Sequence, residues 1–226
     1  TEALLKSQRE LLQAVSHELR TPLARIRFAT ELVETANTDE VKKTRLESID
    51  KSTQELDILV GELLSYVRLD SEAATQEIEE VQISGLFSDV IELHSPLHPG
   101  IKFETKANNK LHIDANRTSL TRAVGNLVSN AGRYAKSQVI LSSQQVDGSI
   151  VIRVDDDGDG IPETDRDGIF EPFVRLPNSK GKGSGLGLAL VKRITSRHGG
   201  EVNVLSNEHG GARFEIRIPA APDQVS

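Results

Sequence analysis

Four stretches of this sequence combine side chains whose types and spacing can do chemistry. The first, "AVSHELRTPLARI", sets His17, Glu18, Arg20, Thr21 and Pro22 among leucines at helical spacing. A histidine that the apolar pattern leaves facing outward therefore stands beside a carboxylate, about one turn ahead of a proline. The second, "NLVSNAGRY", puts Asn126 and Asn130 four residues apart, on one face of a helix. Amide oxygens there can take places around Mg²⁺, which prefers oxygen ligands and keeps several waters while bridging phosphates. The third, "DDDGDGI" at residues 155–161, ends a strand in carboxylates and glycines. A carboxylate held at a strand end can accept a hydrogen bond from an amino group, and Gly158 and Gly160 let the backbone approach a flat ligand. The fourth, "GKGSGLGLAL" at residues 181–190, places Gly183, Gly185 and Gly187 immediately before a helix, where backbone N–H groups make an anion site suited to phosphate.

Taken singly, each stretch has a plainer reading. Paired asparagines also serve as caps or surface residues, and acidic-glycine runs also make ordinary turns and calcium loops. The glycine loop lacks the lysine-hydroxyl ending of a Walker loop and does not follow the first strand of a dinucleotide fold. A flexible linker is opposed by the leucines that alternate with its glycines. The joint argument lies in order: paired asparagines, acidic-glycine turn, "FEPFVR", then the glycine loop.

The elements that must position these residues fall into two groups. Residues 2–36 are rich in helix formers, with Leu5, Leu12, Val15, Leu19, Leu23, Ile26 and Val33 at three- and four-residue steps. Asn37, Thr38 and Asp39 are breaker and cap candidates, and Leu46, Ile49, Leu56, Leu59, Leu63 and Val67 trace a second stripe. Two helices on a short turn make an antiparallel hairpin, and a lone hairpin leaves its stripes uncovered. Pairing with a second copy through residues 1–70, giving an all-α dimeric four-helix bundle, is the economical solution. Residues 71–76, within the small polar run "DSEAATQ", read as a hinge.

From residue 77 to 221 the pattern alternates. "EIEEVQI" (77–83) and "IKFETKA" (101–107) read as strands, with a helix between them. "NRTSLTRAVGNLVSNAGRYA" reads as a second helix, followed by a hairpin turning at Asp147-Gly148, a helix from about Ser184 to Arg197, and a second hairpin. The expected fold is an α+β sandwich: one mixed sheet covered on one side by helices, with a functional or disordered loop over 163–182 and a tail at 222–226.

Composition narrows the classes. The 37% hydrophobic and 27% charged content is that of a soluble chain able to bury a core, and the net charge of −7 argues against direct nucleic-acid binding. With no cysteine there are no disulfides or thiolate metal sites. No run reaches the ~18 apolar residues that read as a membrane span, and the absence of methionine points to a fragment or a trimmed start.

"SHELRTPL" together with the four ordered C-terminal motifs resembles the sensor histidine kinases of two-component signalling over nearly the whole chain. The motifs are His17-Glu18-Leu19-Arg20-Thr21-Pro22 (H box), Asn126 to Tyr134 (N box), Asp156 to Gly160 (first glycine box), Phe170 to Phe173 (F box) and Gly183 to Leu188 (second glycine box). "HELRTPLARIRF" and "NAGRYA" look most like the EnvZ and RstB branch, whose regulators are OmpR-like.

The resemblance implies a phosphotransfer hairpin followed by a GHKL (Bergerat-type) ATP-binding domain, with ATP and Mg²⁺ as cofactors. His17 would be the phospho-acceptor, since a neutral imidazole nitrogen is nucleophilic near pH 7, and Glu18 would hydrogen-bond the other ring nitrogen. Thr21, on the same helix face, would help place the water that dephosphorylates the regulator. Pro22 deprives the Glu18 carbonyl of its helical partner and crowds that turn, at ~3 kcal/mol or more. The helix is expected to bend beside His17, giving two shapes that present it either to ATP or to the regulator.

In the ATP domain Asp156 matches the adenine-binding aspartate, with Gly158 and Gly160 shaping the pocket, and Asn130 matches the metal ligand. Asn126 stands where related hydrolytic ATPases hold a water-activating glutamate; an amide cannot accept that proton, which favours transfer to histidine. Arg133 and Arg175 match basic positions near phosphates, Tyr134 lines the nucleotide side, and Gly183, Gly185, Leu186 and Gly187 form the phosphate loop. The lid would be mostly "VRLPNSKGK", residues 174–182. His94, His98, His112, His198 and His209 lack metal-ligand spacing and read as structural or solvated. The implied partners are a second copy of the chain and the receiver domain of a cognate response regulator. The implied location is the cytoplasmic portion of a bacterial inner-membrane protein, with the membrane reached only through N-terminal segments that this sequence lacks. An ATP-driven clamp and a non-catalytic nucleotide scaffold are the alternatives.

Overall fold

The computed structural model describes residues 2–71, 77–176 and 183–220. Residues 72–76 of the hinge, residues 177–182 of the lid, and the tail lie outside the described residues. The chain divides into two units, Thr1–Asp70 and Ser71–Ser226.

The first unit is two long helices, α1 (Glu2–Glu34) and α2 (Asp39–Ser71). Thr38 takes the capping role, its Oγ1 accepting from the Val41 N–H at 3.3 Å, and Asp39 and Glu40 set negative charge at the positive end of the α2 dipole. Val15, Pro22 and Ala29 of α1 are buried at seven-residue spacing, as are Ser52 and Leu59 of α2, so the hairpin closes on a heptad seam. Arg25 and Glu55 pair across it at 3.0 Å. α1 runs through Pro22 as one helix, with the proline in the seam.

The apolar stripes split between two faces. Leu19, Ile26 and Val33 are half-buried with the seam, whereas Leu12 (65% exposed), Leu23 and Phe28 (62%) face outward. On α2, Leu46, Ile58, Val60, Leu64 and Val67 do the same. Each helix thus carries more apolar surface than one hairpin covers.

In the second unit the order is β1 (Glu79–Gln82), α3 (Ile83–His94), β2 (Lys102–Lys106), β3 (His112–Ala115), α4 (Arg117–Tyr134), β4 (Gln138–Val146), β5 (Ser149–Asp156), α5 (Gly187–Arg197), β6 (Glu201–Ser206) and β7 (Ala212–Pro219). A five-stranded sheet runs β2-β4-β5-β7-β6, with β2 parallel to β4 and every other pair antiparallel. Leu141, Val154, Phe214 and Val204 stand in cross-strand register on its apolar face. Against that face pack α3, α4 and α5, through residues such as Phe87, Leu127 and Ile194. Full burial of each such side chain contributes about 2 kcal/mol. The other face carries the ion pairs Arg153–Glu215 and Arg213–Asp155, both at 2.6 Å.

Three expectations need correction. The single mixed sheet is in fact two: the strand expected over 77–83 is the four residues of β1, which pair with β3 in a separate antiparallel ribbon, Val81 opposite Ile113. The short strand β3, in "LHIDA", has too few alternating residues to stand out from the helix that follows. The helix expected from about Ser184 begins at Gly187, because Gly185 holds φ +75° and interrupts any helical run before it. The loop expected over 163–182 contains two 3₁₀ turns, Glu163–Asp165 and Gly168–Phe170, and buries Ile169 and Phe170. The hairpin turn at Asp147-Gly148 has positive φ at both residues, as a two-residue turn of the right twist requires.

Candidate nucleotide-binding site and phospho-acceptor histidine

The three consecutive aspartates at the end of β5 hold three different positions, because strand side chains alternate between faces. Asp155 points to the polar face and makes a two-pronged pair with Arg213, at 2.6 and 3.2 Å. Asp157, just past the strand, accepts from the backbone N–H of Lys136, Ser137 and Gln138 and from the Ser137 hydroxyl, fixing the turn between α4 and β4. Burial alone would raise its pKa; those donors outweigh it and hold the carboxyl well below the ordinary carboxylate range.

Asp156 points inward and is only 4% exposed. Its Oδ1 accepts from Gly158 N–H at 2.8 Å and Ala212 N–H at 3.2 Å, so Oδ2 is the oxygen available to a ligand's amino group. Burial raises its pKa; the two backbone donors pull it back, and the neighbouring charges of Asp157 and Asp155 push it up further.

The glycines around Asp156 mark close approach of backbone. A Cβ on Gly158 would lie 2.7 Å from the Tyr134 carbonyl oxygen and 2.8 Å from Asp156 Oδ1. Gly160, at φ +73°, would place one 2.7 Å from the Gly210 carbonyl oxygen. Two supports escaped the sequence reading. Asn207, in the β6–β7 turn, donates through Nδ2 to the Asp156 carbonyl at 2.6 Å and to the Ala212 carbonyl at 3.2 Å, while its Oδ1 accepts from His209 N–H and Gly211 N–H. Gly211 passes so near the Asp156 carbonyl that no side chain fits there. The only signal was "NEHGG", which reads equally well as a hairpin turn.

α4 supplies the amides. Asn126 and Asn130 are both half-buried, one turn apart, and Asn126 Nδ2 is buried without a hydrogen-bond partner. Gly187, the first residue of α5, faces Asn126, since a Cβ there would lie 3.6 Å from Oδ1. The Arg133 guanidinium lies against Gly183, where a Cβ would meet Nη1 at 2.5 Å, and Tyr134 is half-buried at the helix end. The loop ahead of α5 is tied to the F box. Phe173, at φ +64°, donates its N–H to the Gly185 carbonyl at 3.0 Å, and a Cβ on Gly185 would strike Phe173 Cα at 2.7 Å. Phe170 anchors that box in the core, edge-on to Phe214 at 6.4 Å between ring centroids. Leu186 is itself a core residue, and its N–H is taken by Ser184 Oγ at 3.0 Å, so its contribution is to seat the loop. Arg175 is exposed just past the F box.

These features fit a nucleotide. An orphaned buried amide, glycines that leave backbone uncovered and a buried carboxylate with one oxygen to spare match phosphate and adenine chemistry. The described residues include no cluster of three or more His, Cys, Asp or Glu that would cage a metal unaided. Amide oxygens plus substrate phosphates are the donor set Mg²⁺ uses.

In the first unit, the His17 side chain is 77% exposed on α1, with Nδ1 3.7 Å from Glu18 Oε1, longer than a hydrogen bond. Thr21, also exposed, follows one turn later on the same face. His94 and His98 pack their rings on Gly125 and Gly132 of α4, and burial lowers the pKa of both. His112 contacts the Lys110 carbonyl and His198 the Ile194 carbonyl. No described helix is long and apolar enough to cross a membrane.

Residues 7–72 match the His Kinase A (phospho-acceptor) domain, and residues 115–222 the histidine kinase-, DNA gyrase B- and HSP90-like ATPase. The sensor protein RstB of Escherichia coli is 34% identical over 221 residues, covering 96% of this chain and 50% of RstB. The sensor histidine kinase GtrS of Pseudomonas aeruginosa is 33% identical, covering 95% and 42%. Among solved structures, full-length ShkA in complex with AMPPNP is 32% identical with a TM-score of 0.70, covering 94% of this chain and 46% of that one. The chain spans about half the length of the curated relatives it matches. Two domain matches in the order of the motifs, with relatives aligned over nearly all of its residues, show that this chain belongs to the sensor histidine kinases.

Proposed function

We propose that the chain catalyses Mg-ATP-dependent phosphorylation of its own His17, passes the phosphoryl group to an aspartate of a response regulator's receiver domain, and also dephosphorylates that regulator. The observation that carries this reading is the pairing, in one chain, of an exposed histidine beside a carboxylate with a pocket whose α4 position 126 is an amide. A glutamate there would activate water; an asparagine holds and orients without taking a proton.

The adenine amino group is held by Asp156, and Gly158, Gly160 and Tyr134 shape its surroundings. Phosphates are received by the backbone of Gly183, Gly185 and Gly187 at the start of α5, with Arg133 and Arg175 as neutralising charges. Asn130, with Asn126 one turn before it, would hold Mg²⁺, which when bound neutralises phosphate charge. His17 Nε2 attacks the γ-phosphorus; an N–P bond forms as the bond to the ADP oxygen breaks, and the Nδ1 proton is drawn toward the Glu18 carboxylate. Thr21 then serves the reverse task, orienting water for the regulator's phosphoaspartate.

The uncovered apolar face of α1 and α2 supports a homodimer through residues 1–70 as a four-helix bundle. The likeness of "HELRTPLARIRF" and "NAGRYA" to the EnvZ and RstB branch supports an OmpR-like regulator, and the sensor-kinase family supports attachment of the intact protein to a bacterial inner membrane. Incubation with γ-labelled ATP and Mg²⁺ tests the reading. Acid-labile, base-stable label that disappears in His17→Ala supports it. Release of free phosphate without labelled protein would indicate a hydrolytic clamp instead, and neither product a scaffold.

A further inference from the structure

Asn116 stands immediately before α4, and each of its polar groups has a partner. Its carbonyl accepts from Leu120 N–H at 2.9 Å and its Oδ1 from Ser119 N–H at 2.8 Å, which together close the first turn of the helix. Its Nδ2 donates to the Glu77 carbonyl at 3.1 Å, on the chain that enters the second unit. Its backbone N–H donates to His198 Nε2 at 3.2 Å, and His198 Nδ1 reaches the Ile194 carbonyl at 2.8 Å. Because a backbone N–H can only donate, Nε2 must be the unprotonated nitrogen and Nδ1 the proton carrier.

One residue therefore ties the start of α4 to the end of α5 and to Glu77. The nucleotide groups lie farther along the same two helices, Asn126 at the middle of α4, Asn130 one turn beyond it, and the glycine loop at the other end of α5. We propose that Asn116 is a positioning residue for phosphoryl transfer: its side-chain amide fixes where the chain enters the ATP-binding unit, and so sets the rate of reaction with His17 while leaving nucleotide affinity alone. The proposal rests on the kinase reading above.

Five residues, 72–76, separate the end of α2 from Glu77. With the Asn116 bond in place, Glu77 is the first anchored residue after them. Without it that point moves to Glu79, which opens β1 opposite Ala115. Two further residues add up to about 7 Å of extended reach, where misplacement of reacting groups by about 1 Å already costs rate. Asn116 touches none of the groups assigned to the nucleotide, so binding is preserved.

Asn116→Asp and Asn116→Ser retain an oxygen that caps α4 but lose the amide hydrogen given to Glu77; Asn116→Ala loses both. On the full 226-residue chain three quantities are measured: the initial rate of His17 labelling at saturating Mg-ATP, the Kd of a non-hydrolysable ATP analogue, and hydrogen exchange at the amides of residues 78–81. In the Asp and Ser variants the rate should fall by at least about three-fold, with Kd within about two-fold of the parent and faster exchange at 78–81. An unchanged rate overturns the proposal, and so does a rate that falls in step with affinity, which would leave Asn116 a helix cap. If the parent itself takes no label, the kinase reading has failed. Exchange at 78–81 still reports on the anchor, and no change there overturns it.

Discussion

Replacing Asp156 with asparagine separates what the fold needs from what the ligand needs. The asparagine Oδ1 can still accept from the Gly158 and Ala212 N–H groups that Asp156 Oδ1 serves at 2.8 and 3.2 Å, so the backbone geometry is retained. The carboxylate is buried and its pKa is raised, so ionising it at neutral pH costs the folded state. For a carboxyl raised on folding, that cost is present above the folded pKa and fades as pH falls through it. The variant should therefore melt at or above the parent temperature at pH 7, with the difference narrowing in acid.

The ligand sees the opposite change. On the proposed assignment of Asp156 to the adenine edge, Oδ2 would accept from the adenine amino group, and in the variant it becomes an NH₂ donor facing another donor. Losing a charge-assisted hydrogen bond and leaving two donors opposed costs about 3 kcal/mol, roughly a hundred-fold in Kd at 1.4 kcal/mol per decade. Inosine triphosphate, which presents a carbonyl in place of the amino group, should gain relative to ATP. Titration calorimetry with both nucleotides, alongside thermal melts from pH 4 to 8, measures each arm. An ATP affinity within about three-fold of the parent, unchanged discrimination against inosine triphosphate, or a clear loss of melting temperature would refute the assignment of Asp156 to the adenine edge.

Thr21→Ala should leave His17 labelling intact while slowing regulator dephosphorylation by about ten-fold or more, followed as loss of label from the phosphorylated receiver domain. Pro22→Ala restores a donor to the Glu18 carbonyl, and the ratio of kinase to phosphatase activity should shift; an unchanged ratio would end the idea of a two-shape helix. Gly185→Ala places a side chain at φ +75° and 2.7 Å from Phe173 Cα, and should weaken nucleotide binding by about five- to 150-fold for about 1–3 kcal/mol of strain, read by calorimetry. Asp157→Asn should lower the melting temperature at pH 7. Because folding depresses this carboxyl, its contribution is present above the unfolded value of about 3.9 and is lost below it, so parent and variant should converge only in melts taken under pH 4.

Much of the fold was legible because its signals are local. Apolar residues at three- and four-residue steps, which mark α1 and α2 as helices, and the Asp147-Gly148 dipeptide are properties of short windows, whereas the seam of Val15, Pro22 and Ala29 emerges only when the two helices meet. What escaped depends on partners distant in sequence. β3 becomes a strand only through pairing with β1, Glu79 with Ala115 and Gln82 with His112, far apart in the chain. Asn207 matters because Asp156, 51 positions away, brings its carbonyl within 2.6 Å. The candidate site could be outlined from motif order, but which of three adjacent aspartates faces inward is decided by strand phase. Leu186 shows the reverse case, a residue inside a binding motif that the structure uses for packing.

The hairpin at Asp147-Gly148 sets the phase of β5, pairing Val146 with Ser149 and carrying that register to Val139 opposite Asp156. Inside or outside is thus a question of parity, settled by a bend several residues upstream of the carboxylate it directs. A run of three identical acids has a curious robustness under such a rule: an odd slip would still swing an aspartate inward, though one pulled away from its Arg213 clasp or its Ser137 turn. Errors of counting in this strand would blunt the pocket before they emptied it.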